Sequence, residues 1–461
     1  MSLDREKLLG AYWAAVAKCD PAKRVRAGLA DEQVAPLVEG RRRFGVAIGK
    51  AALAMARGAG PVKRGVVIVP AGSTGASARA VDPADIPAGW RMVESAHPFV
   101  DERSVRAARE ARAVVDAAGE GDVVLALISG GTSALIEEPI DGLTIVELGE
   151  TIEAAMKSGV PIAELNDLRA TLSRVKRGGL VAQCKAPVVT LAVSDVIGDP
   201  LAIIGSGPTI GAWFVDELAT RRERVVKLQE QLDRSHALRP AAVARALERE
   251  KAGEPFTLEG LPEIVGMGWN GTPPRENDVA MVVGQMAQFA IALQGALLPQ
   301  MWIELELLPV EQDVRLCAKT IVEKVGVSSA EVHGSFVFWG EPTLRVPDDH
   351  GEGGRAQQLA LILAKAIRGT KLIAMVIGSD GQDGPSPTNR PAPAGAIVDG
   401  ATWDAIAAMG PDPEKALARC DAGSVLHAVG ALVVTGPTGI NHGDVVVLGD
   451  RVPIIAERAS R

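Results

Sequence analysis

Short apolar runs alternate with amphipathic stretches along most of the chain. Phe44–Ile48, Gly65–Pro70 (GVVIVP), Asp122–Ile128 (DVVLALI) and Pro187–Val193 (PVVTLAV) are brief and almost continuously apolar, as strands buried on both faces must be. The stretches between them carry helix signals. Asp4 is placed to cap a helix running to about Cys19, and Ala-rich AALAMARGA follows Gly49-Lys50. Asp101 is placed to cap SVRAAREARAVVDAA, and helical patterns run from about Thr144 to Lys157 and from Ile162 to Val175. Strands alternating with helices predict a mostly parallel sheet with helices on both faces, and ligands then bind beyond the carboxyl ends of its strands.

The stretch from Trp213 to Leu247 is charged and helical in pattern, and Glu250 to Asn277 is rich in Gly and Pro. A domain boundary is expected there or a little beyond, giving domains 1–277 and 278–461. The second alternation starts with Val279–Val283, passes through WIELELL and a helix near Val314–Val325, and reaches SFVFWG and TLRV, which read as an antiparallel pair turning at Glu341-Pro342. GGRAQQLALILAKAIRG reads as a helix and KLIAMVIGS as a strand, with late strands at Ala431–Thr435 and Asp444–Leu448. Gly384–Gly395 reads as a Pro- and Ala-rich surface loop.

Composition narrows the classes. The chain has 461 residues, a net charge of −8, only 3% aromatic residues and a single Tyr. Binding nucleic acid needs a basic face or stacking rings, so that partner is not expected. Ala280–Trp302 is apolar but interrupted by Gln285, Gln288 and Gln294, which reads as a strand and a helix, and no membrane span is expected. Cys19, Cys184, Cys317 and Cys420 are far apart and form no CxxC. They read as reduced thiols of a cytoplasmic protein rather than zinc ligands. Self-association as a homodimer is left open.

Several loops carry candidate chemistry. Ser129-Gly130-Gly131-Thr132-Ser133 joins a strand to a helical turn. Glycines there allow backbone N–H groups to approach phosphate oxygens, although a tight turn alone would need the same residues. Lys50 follows a strand end and can reach an anion or stand as a solvated lysine; Gly45 to Gly49 lacks the Walker spacing. Asp195 and Asp199, followed by Ser206, Gly207 and Thr209, suit a hydrated Mg²⁺ beside phosphate. Asp195 is alternatively a general base, and both aspartates alternatively cap turns. Arg355 opens a helix after three glycines in GEGGR, where the helix dipole disfavours a cation and a bound anion would relieve the conflict. A surface salt bridge is the structural alternative. The polar loops SDGQDG, with Asp380 and Asp383, and TGPTG, with Thr438, follow strands and could line a pocket, as could His97.

Taken together these strings are specific. AIGKAALAMA, ESAHPFVDERS, LISGGTSALIEEP, SGVPIAELNDLRATLS, KRGGL, VSDVIGDPLAIIGSGPT, GEGGRAQQLAL, GSDGQDGP and VTGPTGINHGDV occur in the order found in the class II glycerate kinases. The chain resembles that family from about Arg43 to Leu448. The resemblance implies a Rossmann-like kinase domain and a smaller MOFRL-type α/β domain with a mixed sheet, with the active site in the cleft between them. It implies transfer of phosphate from ATP, with Mg²⁺, to D-glycerate, giving 2-phosphoglycerate. It places the catalytic lysine on Lys50 and the catalytic arginine on Arg355, with Asp195 assisting the substrate hydroxyl or the metal. Ser129–Ser133, with Ser206, Gly207 and Thr209, would hold phosphate. His97, Asn166, Arg169, Asp380, Asp383, Thr438 and Asn441 would line the substrate cleft.

The chain departs from the family at polar positions. Arg169-Ala170-Thr171 stands for Arg-Lys-His, GGRAQQ for GGRNQE and TGPTGINHGD for TGPTGTNVND. Such groups decide selectivity, because a missing hydrogen bond to a substrate hydroxyl can change preference by orders of magnitude. With these departures, the resemblance implies glycerate or a related small hydroxy acid as the acceptor. A hydroxypyruvate reductase-type enzyme is a second reading, but it needs a GxGxxG dinucleotide fingerprint, which is missing. A non-catalytic metabolite-binding homologue is a third, opposed by the retention of Lys50, Arg355, Asp195 and SGGTS.

Overall fold

A computed structural model describes residues 3–72, 85–140, 142–157, 168–170, 172–210, 278–297, 303–308, 312–327, 335–384 and 390–450. The stretch 213–247, the Gly/Pro-rich 250–277 and half of the helix expected over 162–175 lie outside them; of the rest, 168–170 is helical and 172–175 is not, Ser173 bridging Pro139 instead. The chain divides into two units, Pro21–Gly284 and Met1–Asp20 with Gln285–Arg461.

In chain order the elements are α1 (Arg5–Lys18), α2 (Pro21–Leu29), α3 (Ala35–Val38), β1 (Arg42–Ile48), α4 (Ala52–Ala59), β2 (Arg64–Pro70), β3 (Trp90–Ser95), α5 (Glu102–Val115), β4 (Asp122–Ile128), α6 (Thr132–Leu135), α7 (Ile145–Lys157), β5 (Val188–Val193) and β6 (Val279–Gly284). There follow α8 (Gln288–Leu297), β7 (Ile303–Leu307), α9 (Val314–Val325), β8 (Ser335–Gly340), α10 (Arg355–Ala366), β9 (Leu372–Gly378), β10 (Gly395–Asp399), α11 (Thr402–Ala408), α12 (Pro413–Ala418), α13 (Ala422–Ala428), β11 (Leu432–Val433) and β12 (Asp444–Asp450).

The unit Pro21–Gly284 is built on a parallel sheet in the order β3-β2-β1-β4-β5-β6. Alternate residues of each strand serve opposite faces. Val46, Ile48, Val66, Ile68, Val124 and Ala126 pack with Ala107, Ala111 and Val115 of α5. Ala47, Val67, Leu125, Leu127, Val189 and Leu191 pack with Val25 of α2 and Met55 and Ala56 of α4. This is the three-layer, doubly wound arrangement. Asp101 caps α5 in a capping box with Ser104, as the sequence leads one to expect. β3 was not foreseen: at the sheet's edge, WRMVES buries only its two end residues, so it lacks the apolar run of its neighbours. Trp90 lies so close over Gly45 that a Cβ there would fall 2.2 Å from its ring.

The other unit carries a mixed sheet in the order β11-β10-β9-β12-β8-β7, parallel only between β7 and β8. One face packs on α9 and α10 and the other on α1 and α8. Tyr12 of α1 is fully buried, edge-on to Phe289 of α8 at 5.6 Å, and its hydroxyl donates to the Gly378 carbonyl at 3.3 Å.

Three expectations are corrected. Residues 1–20 join the second unit, because the apolar face of α1 is covered there. The division falls at Gly284/Gln285 rather than 277/278, because β6 completes the parallel sheet beside β5. SFVFWG forms no hairpin with TLRV: β8 pairs with β7 and β12, while Thr343 only bridges Asp313.

Candidate active site

In the parallel sheet every strand ends at one edge, so the loops after β1, β3, β4 and β5 emerge together. Strand order reverses between the neighbours β1 and β4, the position where doubly wound proteins bind ligands. Lys50 and the Ser129–Ser133 loop lie there. The Lys50 N–H donates to the Gly130 carbonyl at 2.9 Å, and the Ser129 N–H to the Ile48 carbonyl at 2.9 Å. Lys50 is exposed. Gly49 has φ 125°, and a Cβ on it would sit 2.1 Å from the Ser129 hydroxyl. Only glycine allows the two loops to close on each other so tightly.

The hydroxyls of this loop face inward. Ser129 Oγ accepts from the Ala51 N–H at 3.2 Å and donates to the Ile48 carbonyl. Thr132 donates to the Ser129 carbonyl at 2.7 Å and lies 2.9 Å from the Ile48 carbonyl. Both side chains are fully buried. What the loop offers outward is backbone: among the described residues, the N–H groups of Gly130 and Gly131 donate to no carbonyl. His97, exposed after β3, lies near Gly131, where an added Cβ would be 3.2 Å from His97 Nε2 and 3.6 Å from Lys50 Cγ. The structure therefore brings His97, Lys50 and Gly131 into one neighbourhood.

Ser206 joins the same cluster. Gly205, Ser206 and Gly207 are successive left-handed residues, with φ of 59°, 62° and 56°. That conformation turns Ser206 so that its hydroxyl meets the Ser133 hydroxyl at 2.8 Å. Thr209 points elsewhere, accepting from the β5 residue Thr190 at 2.9 Å inside the unit. Asp195 is half-buried directly after β5, and Asp199 is half-buried in a left-handed conformation four residues on. Among the described residues no three acidic, histidine or cysteine side chains cluster as a metal cage. A hydrated Mg²⁺ bound by one or two carboxylates plus phosphate needs no such cage, and Asp195 and Asp199, half-buried after β5, are of the residue type that would hold it. Asn166 lies outside the described residues. Arg169 is half-buried; burial lowers its pKa, against the pull of Glu137.

In the mixed-sheet unit, the ends of β8 and β9 and the start of β12 share one edge, since Asp444 is paired with both Gly340 and Gly378. Arg355, the first residue of α10, reaches that edge. Its Nε donates to Asp444 Oδ2 at 2.6 Å and its Nη2 lies 3.0 Å from Glu341 Oε1. Burial disfavours the charge on Arg355, but Asp444 and then Glu341 outweigh it and hold the guanidinium more firmly protonated. Asp444 is raised above the usual carboxylate range by burial, against the pull of Arg355 and with a push from Glu341 and Asp380.

The anion expected at this helix start is a residue of the protein. Asp383 Oδ1 accepts from the Ala356 N–H at 3.0 Å, and Oδ2 from the Gln357 N–H at 2.8 Å and the Gln357 side-chain amide at 3.0 Å. Asp383 thus caps α10 from 27 residues away, relieving the orphan N–H groups that Gly354 cannot. Burial and the nearby Asp444 push its pKa up to about 6. Asp380 is half-buried beside it and accepts from the Gln382 N–H. Thr438 spends its hydroxyl on the Ser379 carbonyl at 2.6 Å, and Asn441 is buried just before β12. Glu341 and Asp444 were not singled out in the sequence. The one sequence signal was an acid flanking each apolar run, in GEP and HGDVVV.

These features define a doubly wound α/β protein with its glycine loop at the switch point, joined to a mixed-sheet unit with an acid-anchored arginine. Residues 7–247 match a domain of unknown function (DUF4147), and residues 335–444 match the MOFRL family. A glycerate 2-kinase of Pyrococcus horikoshii is 32% identical over 361 residues, 77% of each chain. A D-glycerate 2-kinase of Thermotoga maritima is 32% identical over 417 residues, 87% of this chain and 89% of that one. The crystal structure of a glycerate kinase from Thermotoga maritima superposes with a TM-score of 0.72 at 28% identity, covering 96% of this chain and all of that one. The chain belongs to the class II glycerate kinase family.

Proposed function

We propose that this protein is a glycerate kinase, transferring the γ-phosphoryl group of ATP to a hydroxyl of D-glycerate and releasing ADP and 2-phosphoglycerate. The observation that carries the reading is the junction at the switch point, where Lys50 N bonds to Gly130 O and an exposed lysine stands beside a glycine loop. Phosphoryl transfer asks for in-line positioning and charge neutralisation more than covalent help. In this reading the N–H groups of Gly130 and Gly131 hold phosphate oxygens, and the Lys50 ammonium answers the charge on the transferred group. Arg355 is the second cation of this reading, for the charge that develops on the transferred group. Asp195 takes the proton of the attacking hydroxyl or holds Mg²⁺, with Asp199 as the second carboxylate for the ion. Bound there, Mg²⁺ would screen the phosphate oxygens. The acceptor oxygen forms the new bond to phosphorus as the bond to the β-phosphate oxygen breaks.

No membrane-crossing helix exists among the described residues, and all four cysteines are buried thiols, which suits a cytoplasmic setting supplied with ATP. The switch-point loops carry Gly49-Lys50 and SGGTS rather than a dinucleotide fingerprint, so nothing specific favours hydride transfer.

The test is ADP release from Mg·ATP with D-glycerate, L-glycerate and tartronate in parallel. D-Glycerate is expected to be turned over. Lys50→Ala is expected to lower that rate by roughly two orders of magnitude. A folded Lys50→Ala enzyme at near-native rates refutes the assignment.

A further inference from the structure

Lys176 is buried at 5% exposure, in a segment that the activity above does not use. Its ammonium pairs with Glu137, itself 2% exposed, and donates to the Ser133 carbonyl at 3.1 Å. The backbone beyond it is tied to the other half of the anion loop. The Arg177 N–H donates to the Ser206 carbonyl at 3.0 Å, and the Gly178 N–H to the Gly207 carbonyl at 2.8 Å. Ser206 and Ser133 close the figure through their hydroxyls at 2.8 Å. A ring of contacts thus runs from Ser133 to Lys176, through Arg177 to Ser206, and back to Ser133.

We infer that Lys176 is a positioning residue for nucleotide binding, setting the separation and aim of the Ser129–Ser133 and Gly205–Gly207 loops through the Ser133 carbonyl. The inference rests on the kinase reading and deepens it. Three observations carry it. A buried ion pair is a costly way to fill a core and is often replaceable by apolar side chains without loss of stability. Here a second bond of the ammonium goes to the loop itself. Moreover, Ser133 belongs to α6, a single turn of four residues, and its carbonyl is where the ammonium meets that turn. Glu138 fixes the flank: its carbonyl accepts from the Arg174 N–H at 2.7 Å, and its carboxylate accepts from Arg112 at 2.7 Å. The cation at position 176 is thereby held opposite Ser133 rather than free to choose another acceptor.

The experiment separates positioning from mere stability. Lys176→Met alone would strand the buried Glu137 carboxylate, so the informative variant is Lys176→Met with Glu137→Leu, which removes both charges together. It is expected to fold, to raise KM for ATP about tenfold or more through loss of a charge-assisted bond to the loop, and to leave KM for D-glycerate and kcat within about threefold. Glu137→Gln keeps the ammonium on the Ser133 carbonyl and is expected to keep KM for ATP within about twofold. A folded double variant whose KM for ATP matches wild type overturns the inference. If the double variant does not fold, Glu137→Gln decides: a native KM for ATP supports the role of the Ser133 contact, and a tenfold rise overturns it. A wild-type enzyme that releases no ADP with any acceptor and binds no ATP by calorimetry overturns the kinase reading itself. That outcome is distinct from an active wild type with an indifferent double variant.

Discussion

Asp383 offers a quantitative test of how α10 is held. Its carboxylate is 5% exposed, caps the helix with both oxygens and has a pKa of about 6 against an ordinary 3.8, mainly through burial. The folded state therefore binds this proton more tightly than the unfolded chain does. Stability must then fall as pH rises through the window from 3.8 to 6, because the unfolded chain sheds the proton first. The difference of about 2 pH units corresponds to about 3 kcal/mol, fully felt above pH 6 and absent below 3.8. Asp383→Asn cannot titrate and keeps one acceptor oxygen for the Ala356 or Gln357 N–H. Near pH 7 the variant loses one or two charge-assisted bonds, each worth about 1.5–3 kcal/mol, but escapes the cost of a buried charge, so the two effects largely offset each other. On acidification the wild type should gain on the variant by about 1 kcal/mol at pH 5 and about 2 kcal/mol at pH 4.5. Calorimetric unfolding of both proteins between pH 4.5 and 7.5 reads this difference directly. A stability difference that stays constant across that range would falsify the claim that Asp383 is an ionised, buried cap at neutral pH.

Three further outcomes follow from the same geometry. Arg355→Ala is expected to lose about 2–3 kcal/mol of stability because it strands the buried Asp444. Adding Asp444→Asn should restore most of that stability in thermal unfolding but none of the ADP release, separating the structural contribution of Arg355 from the catalytic one proposed for it. Gly49→Ala drives a Cβ to 2.1 Å from the Ser129 hydroxyl at φ 125° and is expected to cost about 2 kcal/mol or more, with a parallel loss of ATP affinity by calorimetry. Removing Mg²⁺ with a chelator is expected to abolish ADP release, and restoring excess Mg²⁺ to return it; full activity in the chelator would exclude the ion.

Much of the fold was legible because of where its strands are buried. β1, β2, β4 and β5 have helices on both faces and so announce themselves as apolar runs. β3 escaped because its middle residues are half-buried at an edge, and β10 because GAIVD follows a Pro-rich loop and is only five residues long. The unit to which α1 belongs is a matter of packing between Tyr12 and Phe289, 277 positions apart, which no local pattern encodes. The position of the loops at the parallel sheet's carboxyl edge was legible for a topological reason: Gly49-Lys50, SGGTS and SDVIGD each follow a strand. The acid partners of Arg355 were not, because Glu341 and Asp444 meet only through the antiparallel pairing of β8 with β12.

The corrected picture of Arg355 changes what its position implies. A cation at a helix start suggested a missing anion, yet the dipole is answered by Asp383 and the side chain by two carboxylates of unequal character. Asp444 is 6% exposed and fixed in β12, whereas Glu341 is 43% exposed on the loop after β8. A buried partner sets the direction of the guanidinium, and an exposed one contributes little net energy to holding it. An incoming phosphate can therefore take the place of Glu341 at Nη2 while Asp444 keeps Nε, so that Arg355 would bind substrate without being re-aimed. On the kinase reading, the acid pair beside Arg355 is not a competitor for its function. Asp444 is the anchor that orders the fork, and Glu341 answers the charge until a substrate does.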